Sequence, residues 1–279
     1  MSSICKKSVV VVIPIYSDHP SKNEVISISQ AFQILQNRII RILHPVGMDI
    51  SAYQSIVPTG INSKNTIEFI SFPSIHFIDI RSYNTWLLTP GFYENFIDFE
   101  FLCIVQTDVF LFSDDLNYWL NQNWDYSGAP WFEGWGKGNS TKFIGAGNGG
   151  FSLRRIKPII RVLNSRKKLY SHKQSIKRLL YSKNKKAVWN DLKHHNSTHY
   201  SKIPSINNED IWFAQLIPTY FPDFQVAPPK VALKFSIEVN PRFLVQLNDG
   251  KLPMGCHAWW KYDPEFLFPI VESFNHHPV

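Results

Sequence analysis

The clearest chemical signal in the chain is FLCIVQTDVFLFSDD, Phe101 to Asp115, in which an apolar run opens onto Gln106, Thr107 and Asp108. A carboxylate buried without a partner is costly, so a cation or a hydrogen-bond donor is expected to face Asp108. Closing a turn is the plainer alternative. Three further clusters carry chemistry. In FIGAGNGGFSLRR, Gly145, Gly147, Gly149 and Gly150 let a backbone come close to a ligand. Glu209 and Asp210 open a helical pattern. An acid pair there can divide the work of taking a proton and orienting a substrate; acids at that place also gain from the helix dipole, so capping alone explains them too. His257 stands in GCHAWW, between a glycine and two tryptophans, where an imidazole can hold a metal or a diphosphate. EGWGKG, Glu133 to Gly138, has neither GxxxxGK[ST] nor GxGxxG, which argues against a P-loop and a dinucleotide site.

These residues need a frame. Phe101 to Val105 is five consecutive apolar residues, the pattern of a strand covered on both faces in a parallel or mixed α/β sheet. Ligands bind at the carboxyl edge of such sheets, where loops diverge. Val9 to Ile15 reads as the first strand, followed by a helix capped by Ser21 or Asn23, with Val25, Ile28, Ala31, Phe32 and Leu35 on its apolar side. Arg38 to Leu43 and Thr66 to Phe72 read as further strands, and Phe77 to Asp79 as a short companion. Tyr83, Trp86 and Leu87, then Phe92 and Phe96, and later Leu116, Trp119 and Leu120, fall at helical spacing. The alternation predicts an α/β fold, a mixed and mostly parallel sheet flanked by helices, in a single domain over 1–279.

Charge is unevenly spread. The chain carries +7, but 154–193 holds 14 Lys and Arg against one acid, Asp191, leaving 15 basic and 21 acidic residues elsewhere. A basic helical insertion over 154–204 is therefore expected, either solvated or facing anions such as phosphate, nucleic acid or anionic lipid. Its aromatics, Tyr170, Tyr181 and Trp189, are too sparse for a nucleic-acid stacking platform. Cys5, Cys103 and Cys256 lack metal or disulfide spacing, and no apolar run approaches a membrane span. Pro14 interrupts the amino-terminal apolar run too early for a signal peptide, so a reducing, cytoplasmic location is expected, with peripheral membrane contact through the basic segment.

The ordered set IPIY, Gln106-Thr107-Asp108, GNGGFSLR, NNED and GCHAW resembles the GT-A class of nucleotide-sugar glycosyltransferases. It is most similar to a small group of uncharacterised enzymes carrying QxD in place of DxD, and more distantly to β-1,4-galactosyltransferases and polypeptide N-acetylgalactosaminyltransferases. The resemblance is loose over Val9 to Tyr83 and firmer over Tyr83 to Tyr262, apart from the basic segment. It implies a GT-A, Rossmann-like fold and transfer of a sugar from a nucleotide-diphosphate donor, UDP-linked by expectation, to a glycan, lipid-linked or other hydroxyl acceptor, as in polysaccharide biosynthesis. Inversion is the simpler expectation with one base on the acceptor side. By the same resemblance Pro14, Ile15 and Tyr16 hold the base and ribose, and Asn84, Gln106, Thr107, Asp108, Gly149 and Gly150 line the donor site. Asp108 and His257 ligate Mn²⁺ or Mg²⁺; Gln106 stands where a carboxylate is usual, which weakens that site. Asp210 acts as base with Glu209 orienting the acceptor, and Trp131, Trp135 and Trp259 stack on sugar. A non-catalytic carbohydrate or nucleotide-sugar binder is the main alternative, and a nucleic-acid-binding protein the lesser one.

Overall fold

A computed structural model describes residues 8–58, 67–135, 140–204 and 208–275. Its centre is a six-stranded sheet in the order β3-β2-β1-β4-β9-β6. The first four of these, β1 (Val9–Pro14), β2 (Ile39–Pro45), β3 (Ile67–Phe72) and β4 (Phe101–Val105), are mutually parallel. The chain then reverses, because β9 (Phe151–Arg155) runs antiparallel to β4 and β6 (Tyr126–Ser127) antiparallel to β9. Two small sheets flank this edge. One joins β5 (Val109–Leu111), β10 (Ser236–Ile237) and β11 (Gly255–His257); the other pairs β7 (Ala129–Phe132) with β8 (Phe143–Gly147).

The apolar runs of β1 and β4 lack alternation because both of their faces are covered. Val9, Val11, Ile13, Phe101, Cys103 and Val105 face α1 (Lys22–Ile34), which buries Ile28, Ala31 and Phe32 against them. Val10, Val12, Leu102 and Ile104 face the other way. There they meet α3 (Ile80–Leu87), α4 (Pro90–Glu94) and α6 (Ile156–Leu163), while α2 (Ser51–Ile56) lies on the α1 side, with Tyr53 in the first cluster. A third cluster joins Phe110, Ile237, Leu244, Trp259 and Leu267 around the small sheet, α12 (Pro241–Leu247) and α13 (Pro264–Asn275). Each fully buried Val, Leu, Ile or Phe contributes about 1.5–3 kcal/mol, so these two-sided strands are the rigid part of the molecule. No helix among the described residues is long and apolar enough to cross a membrane.

Ser21 caps α1 in a full capping box with Glu24, one of the two caps expected. Two expectations are corrected. Phe77 to Asp79 is not a strand: a 3₁₀ turn spans Ser74–Phe77, and Asp79 caps α3 by accepting from the Ser82 N–H. Nor does an insertion begin at residue 154. Arg154 and Arg155 belong to β9, and α6 buries Ile156, Ile159, Val162 and Leu163 in the core. The exposed basic part comes later, as α7 (His172–Tyr181) and α8 (Lys185–His195), neither of which buries a residue fully.

Candidate functional site

The carboxyl ends of β1 and β4 lie side by side, since Val9 pairs with Phe101 and Val12 with Ile104. Just beyond β4 the chain turns tightly, with the Gln106 N–H donating to Gly150 O (2.8 Å) and the Val109 N–H to Gln106 O (3.0 Å). Thr107 is buried and donates its hydroxyl to Glu24 Oε1 (2.6 Å), while Glu24 Oε2 accepts from the Ser21 N–H (2.8 Å). The helix cap and the turn are thereby one assembly. Asp108 follows, and its Oδ1 is buried with no hydrogen bond among the described residues.

What faces that oxygen is fixed by strand register. β11 pairs antiparallel with β5 so that His257 sits opposite Val109, and its Nε2 comes to 3.2 Å from Asp108 Oδ1, an ion pair when the ring is protonated. The other ring nitrogen, Nδ1, lies 3.0 Å from Glu238 Oε1. Asn148 braces this pair. Its Oδ1 accepts from the N–H groups of Gly150 (2.8 Å) and Phe151 (3.1 Å), so its Nδ2 must point at Glu238 Oε2 (2.8 Å) and His257 Nδ1 (3.0 Å). Glu238 Oε1 can only accept, so Nδ1 carries a proton donated to it, and Nε2 is the nitrogen turned toward Asp108. Burial alone would lower the imidazolium pKa, but the carboxylates of Asp108 and Glu238 outweigh it and push it up to about 10, so that Nε2 also carries a proton, whose place a bound cation would take.

The donor set suits a small divalent cation. A buried carboxylate oxygen and an imidazole nitrogen stand 3.2 Å apart, and neighbouring ligand atoms of an octahedral Mg²⁺-sized ion are ~3 Å apart. A carboxylate behind the ligating histidine is the usual support for such a nitrogen. Among the described residues no three His, Cys, Asp or Glu side chains are grouped to hold a metal by themselves. The rest of the shell must come from bound oxygen, as with diphosphates.

Glycine is required where the β8–β9 turn crosses this centre. A Cβ on Gly150 would stand 2.1 Å from His257 Nε2 and 2.7 Å from Gln106 Oε1, and one on Gly149 would stand 2.3 Å from Glu209 Oε1. The turn therefore runs between the imidazole and the acid pair. Gly145 and Gly147 lie in β8 instead; a Cβ on Gly147 would enter the ring of Trp131.

Glu209 and Asp210 start a helical segment made of α9 (Glu209–Ile211), a π turn (Trp212–Leu216) and α10 (Ile217–Tyr220). The two acids differ. Glu209 is buried and its Oε1 pairs with Arg154 Nη2 at 2.6 Å. Arg154 is itself fully buried, donating also to Tyr93 Oη (3.0 Å), Ser152 Oγ (3.0 Å) and Gly149 O (3.3 Å). Asp210 is part-buried, among the described residues accepts only from its neighbour Ile211 N–H (2.7 Å), and has its pKa raised to about 7 by burial first and the Glu209 charge second. Asn208 makes no side-chain cap and instead accepts from Asn84 Nδ2 (3.3 Å), which brings Asn84 beside the acid pair. A carboxyl that titrates near neutrality beside a fixed carboxylate is a candidate base.

The structure thus brings Gln106, Thr107, Asp108, Gly149, Gly150, Glu209, Asp210 and His257 to one edge, with Asn84 at its side. Tyr16 is exposed there, and burial of its hydroxyl followed by the charges of Glu24 and Asp108 raises its pKa. Pro14 and Ile15 are core: Ile15 is fully buried and its N–H is taken by Leu43 O (2.8 Å), so neither offers a side chain. Trp135 is exposed, and Trp131 is nearly covered, packed on Gly147 and tilted against Trp135 at 5.3 Å. Trp259 is a correction. It is 0% exposed, with its Nε1–H donated to Ser27 Oγ (2.9 Å), and it serves the core. Three residues of the site were not foreseen: Glu238, Asn148 and Arg154. Glu238 directly follows the short strand β10, and an acid just past a strand end was the available signal.

The chain is thus an α/β protein with a polar centre at the carboxyl edge of a mostly parallel sheet. It belongs to the family described as a protein of unknown function, DUF5672, whose model matches residues 66–257. None of the curated proteins compared matches it. Solved structures with a similar course include the galactosyltransferase LgtC in complex with donor and acceptor sugar analogs, 13% identical over 96% of this chain and 97% of that one, TM-score 0.49. Mouse xyloside xylosyltransferase 1 is 6% identical over 90% and 96%, TM-score 0.48. The glycosyltransferase GlyE of Streptococcus pneumoniae TIGR4 is 12% identical over 98% and 61%, TM-score 0.46.

Proposed function

We propose that this protein is a glycosyltransferase that moves a sugar from a nucleotide-diphosphate donor to a hydroxyl acceptor. The observation that carries the reading is the buried Asp108 Oδ1 set 3.2 Å from His257 Nε2, with Glu238 behind the ring and the Gly149-Gly150 turn alongside. Asp108 and His257 would hold Mn²⁺ or Mg²⁺, which when bound supplies positive charge for a departing diphosphate. The chain's own residues do the rest. Tyr16, Gln106 and Thr107 would border the donor, and Asn84, bonded to Asn208, would line it next to the acid pair. Asp210 takes the proton of the attacking hydroxyl, its pKa of about 7 placing it where a base works best near neutral pH. Glu209, held by Arg154, supplies the fixed negative charge that keeps Asp210 basic, a positioning task more than the acceptor contact expected of it. Trp135, with Trp131 behind it, offers an exposed aromatic face to a sugar. One base on the acceptor side fits direct displacement with inversion.

Release of nucleoside diphosphate from a panel of nucleotide sugars, with and without Mn²⁺ and with pooled glycan acceptors, tests the reading. Asp210→Asn should keep donor binding and lose turnover by about 10²–10⁴-fold. Donor binding by both proteins with turnover by neither would favour a nucleotide-sugar binder instead.

A further inference from the structure

Beyond the donor edge, the helical hairpin of α7 and α8 presents a surface the proposed chemistry does not use. Residues 164–204 carry 11 Lys and Arg against the single acid Asp191. That acid is spent internally, pairing with Arg178 Nη1 at 3.0 Å across the hairpin, while Arg178 covers the Tyr170 ring at 4.1 Å. The hairpin is fastened at its base, where the Thr198 N–H donates to Lys167 O (2.8 Å) and the Tyr170 N–H to Asn196 Oδ1 (2.7 Å). Its fold is thus set without help from its outer face.

On that outer face, apolar groups stand among lysines. In α7 the part-buried side is Ser175, Arg178 and Leu179; Ile176 and Leu180, one turn apart, point away and are 58% and 66% exposed. Lys173 and Lys177 share their side of the helix, and Tyr181 next to it is 81% exposed. In α8 the part-buried side is Val188, Asp191, Leu192 and His195, and Trp189 is 59% exposed with Lys185, Lys186 and Lys193 on its flank.

We propose that this hairpin docks on an anionic lipid bilayer, Ile176, Leu180, Tyr181 and Trp189 entering the headgroup boundary while the lysines meet lipid phosphates. The combination is that of interfacial helices: a basic polar face with aromatic and aliphatic groups at its margin. A nucleic acid would match the charge, but aliphatic Ile176 and Leu180 have no face on which a base can stack. The inference is independent of the sugar-transfer reading.

Sedimentation of the full chain with phosphatidylcholine vesicles, and with vesicles of equal parts phosphatidylcholine and phosphatidylglycerol, tests it. Binding to the anionic vesicles alone is expected. Ile176→Ser with Leu180→Ser and Trp189→Ser should weaken it at least about tenfold at unchanged melting temperature. Lys173→Glu with Lys177→Glu, both on the exposed side, should do the same through charge and keeps the test open if the apolar variant misfolds. No sedimentation with anionic vesicles at low salt would overturn the proposal. So would binding that ignores the apolar substitutions and is equalled by an RNA, which would make the hairpin a general polyanion surface.

Discussion

Asp210→Asn separates the account's electrostatics from its chemistry. Asp210 has its pKa raised from 3.8 to about 7 in the folded protein, so the fold favours its protonated form. The stability this contributes is fully present below the unfolded value, is lost progressively as pH rises, and is gone above about 7. At 1.36 kcal/mol for each unit, the loss from pH 4 to pH 8 approaches about 4 kcal/mol, of which about 2–3 falls between pH 5 and pH 8. Asparagine keeps the shape, stays neutral and titrates nowhere. Its stability relative to the parent should therefore rise by about 2 kcal/mol or more between pH 5 and pH 8, read from urea unfolding at both values. The same group, as base, makes kcat/KM climb through pH 7 and level above it, and the variant loses that limb together with most turnover. If the two proteins keep a constant difference from pH 5 to pH 8, or the asparagine variant loses ground as pH rises, the reasoning about Asp210 fails.

Three other perturbations follow from named contacts. Glu238→Gln removes the charged acceptor of the His257 Nδ1–H, and Mn²⁺ affinity in titration calorimetry should fall 10–100-fold with the fold intact. Gly150→Ala puts a methyl 2.1 Å from His257 Nε2; about 1–3 kcal/mol should be lost in urea unfolding, and the cation response with it. Arg154→Met leaves Glu209 buried without its partner and should cost about 3–5 kcal/mol, much of it recovered in the double variant with Glu209→Gln, measured as a double-mutant cycle.

The two-sided strands were legible because burial on both faces leaves no polar positions. Phe101 to Val105 corresponds to β4 residue for residue. Polar side chains were harder to place, since residue type does not say what lies opposite. Arg154 read as the start of a basic run, yet β9 pairing turns it inward onto Glu209, and only the sheet register tells it from Arg155, which is part-exposed. Glu238 was missed because its partner His257 is brought to it by the parallel pairing of β10 with β11, a contact with no local trace in the sequence. Trp259 misled in the opposite sense. Beside His257 it read as a ligand face, but the strand ends there and its ring turns into the cluster under Phe110. Phe77 to Asp79 had the residues of a short strand, and the Asp79 cap on α3 overrode them.

The most direct test of the central assignment is thermal unfolding of the full chain against a panel of nucleotide sugars, with and without Mn²⁺, repeated on Asp108→Ala. At about 100 times its dissociation constant a donor stabilises the folded state by about 2.7 kcal/mol, a readily measured rise in melting temperature. The account predicts that rise for at least one nucleotide sugar, larger with Mn²⁺ present, and its loss in Asp108→Ala. A panel that moves nothing, or an Asp108→Ala protein that responds as the parent does, would contradict it.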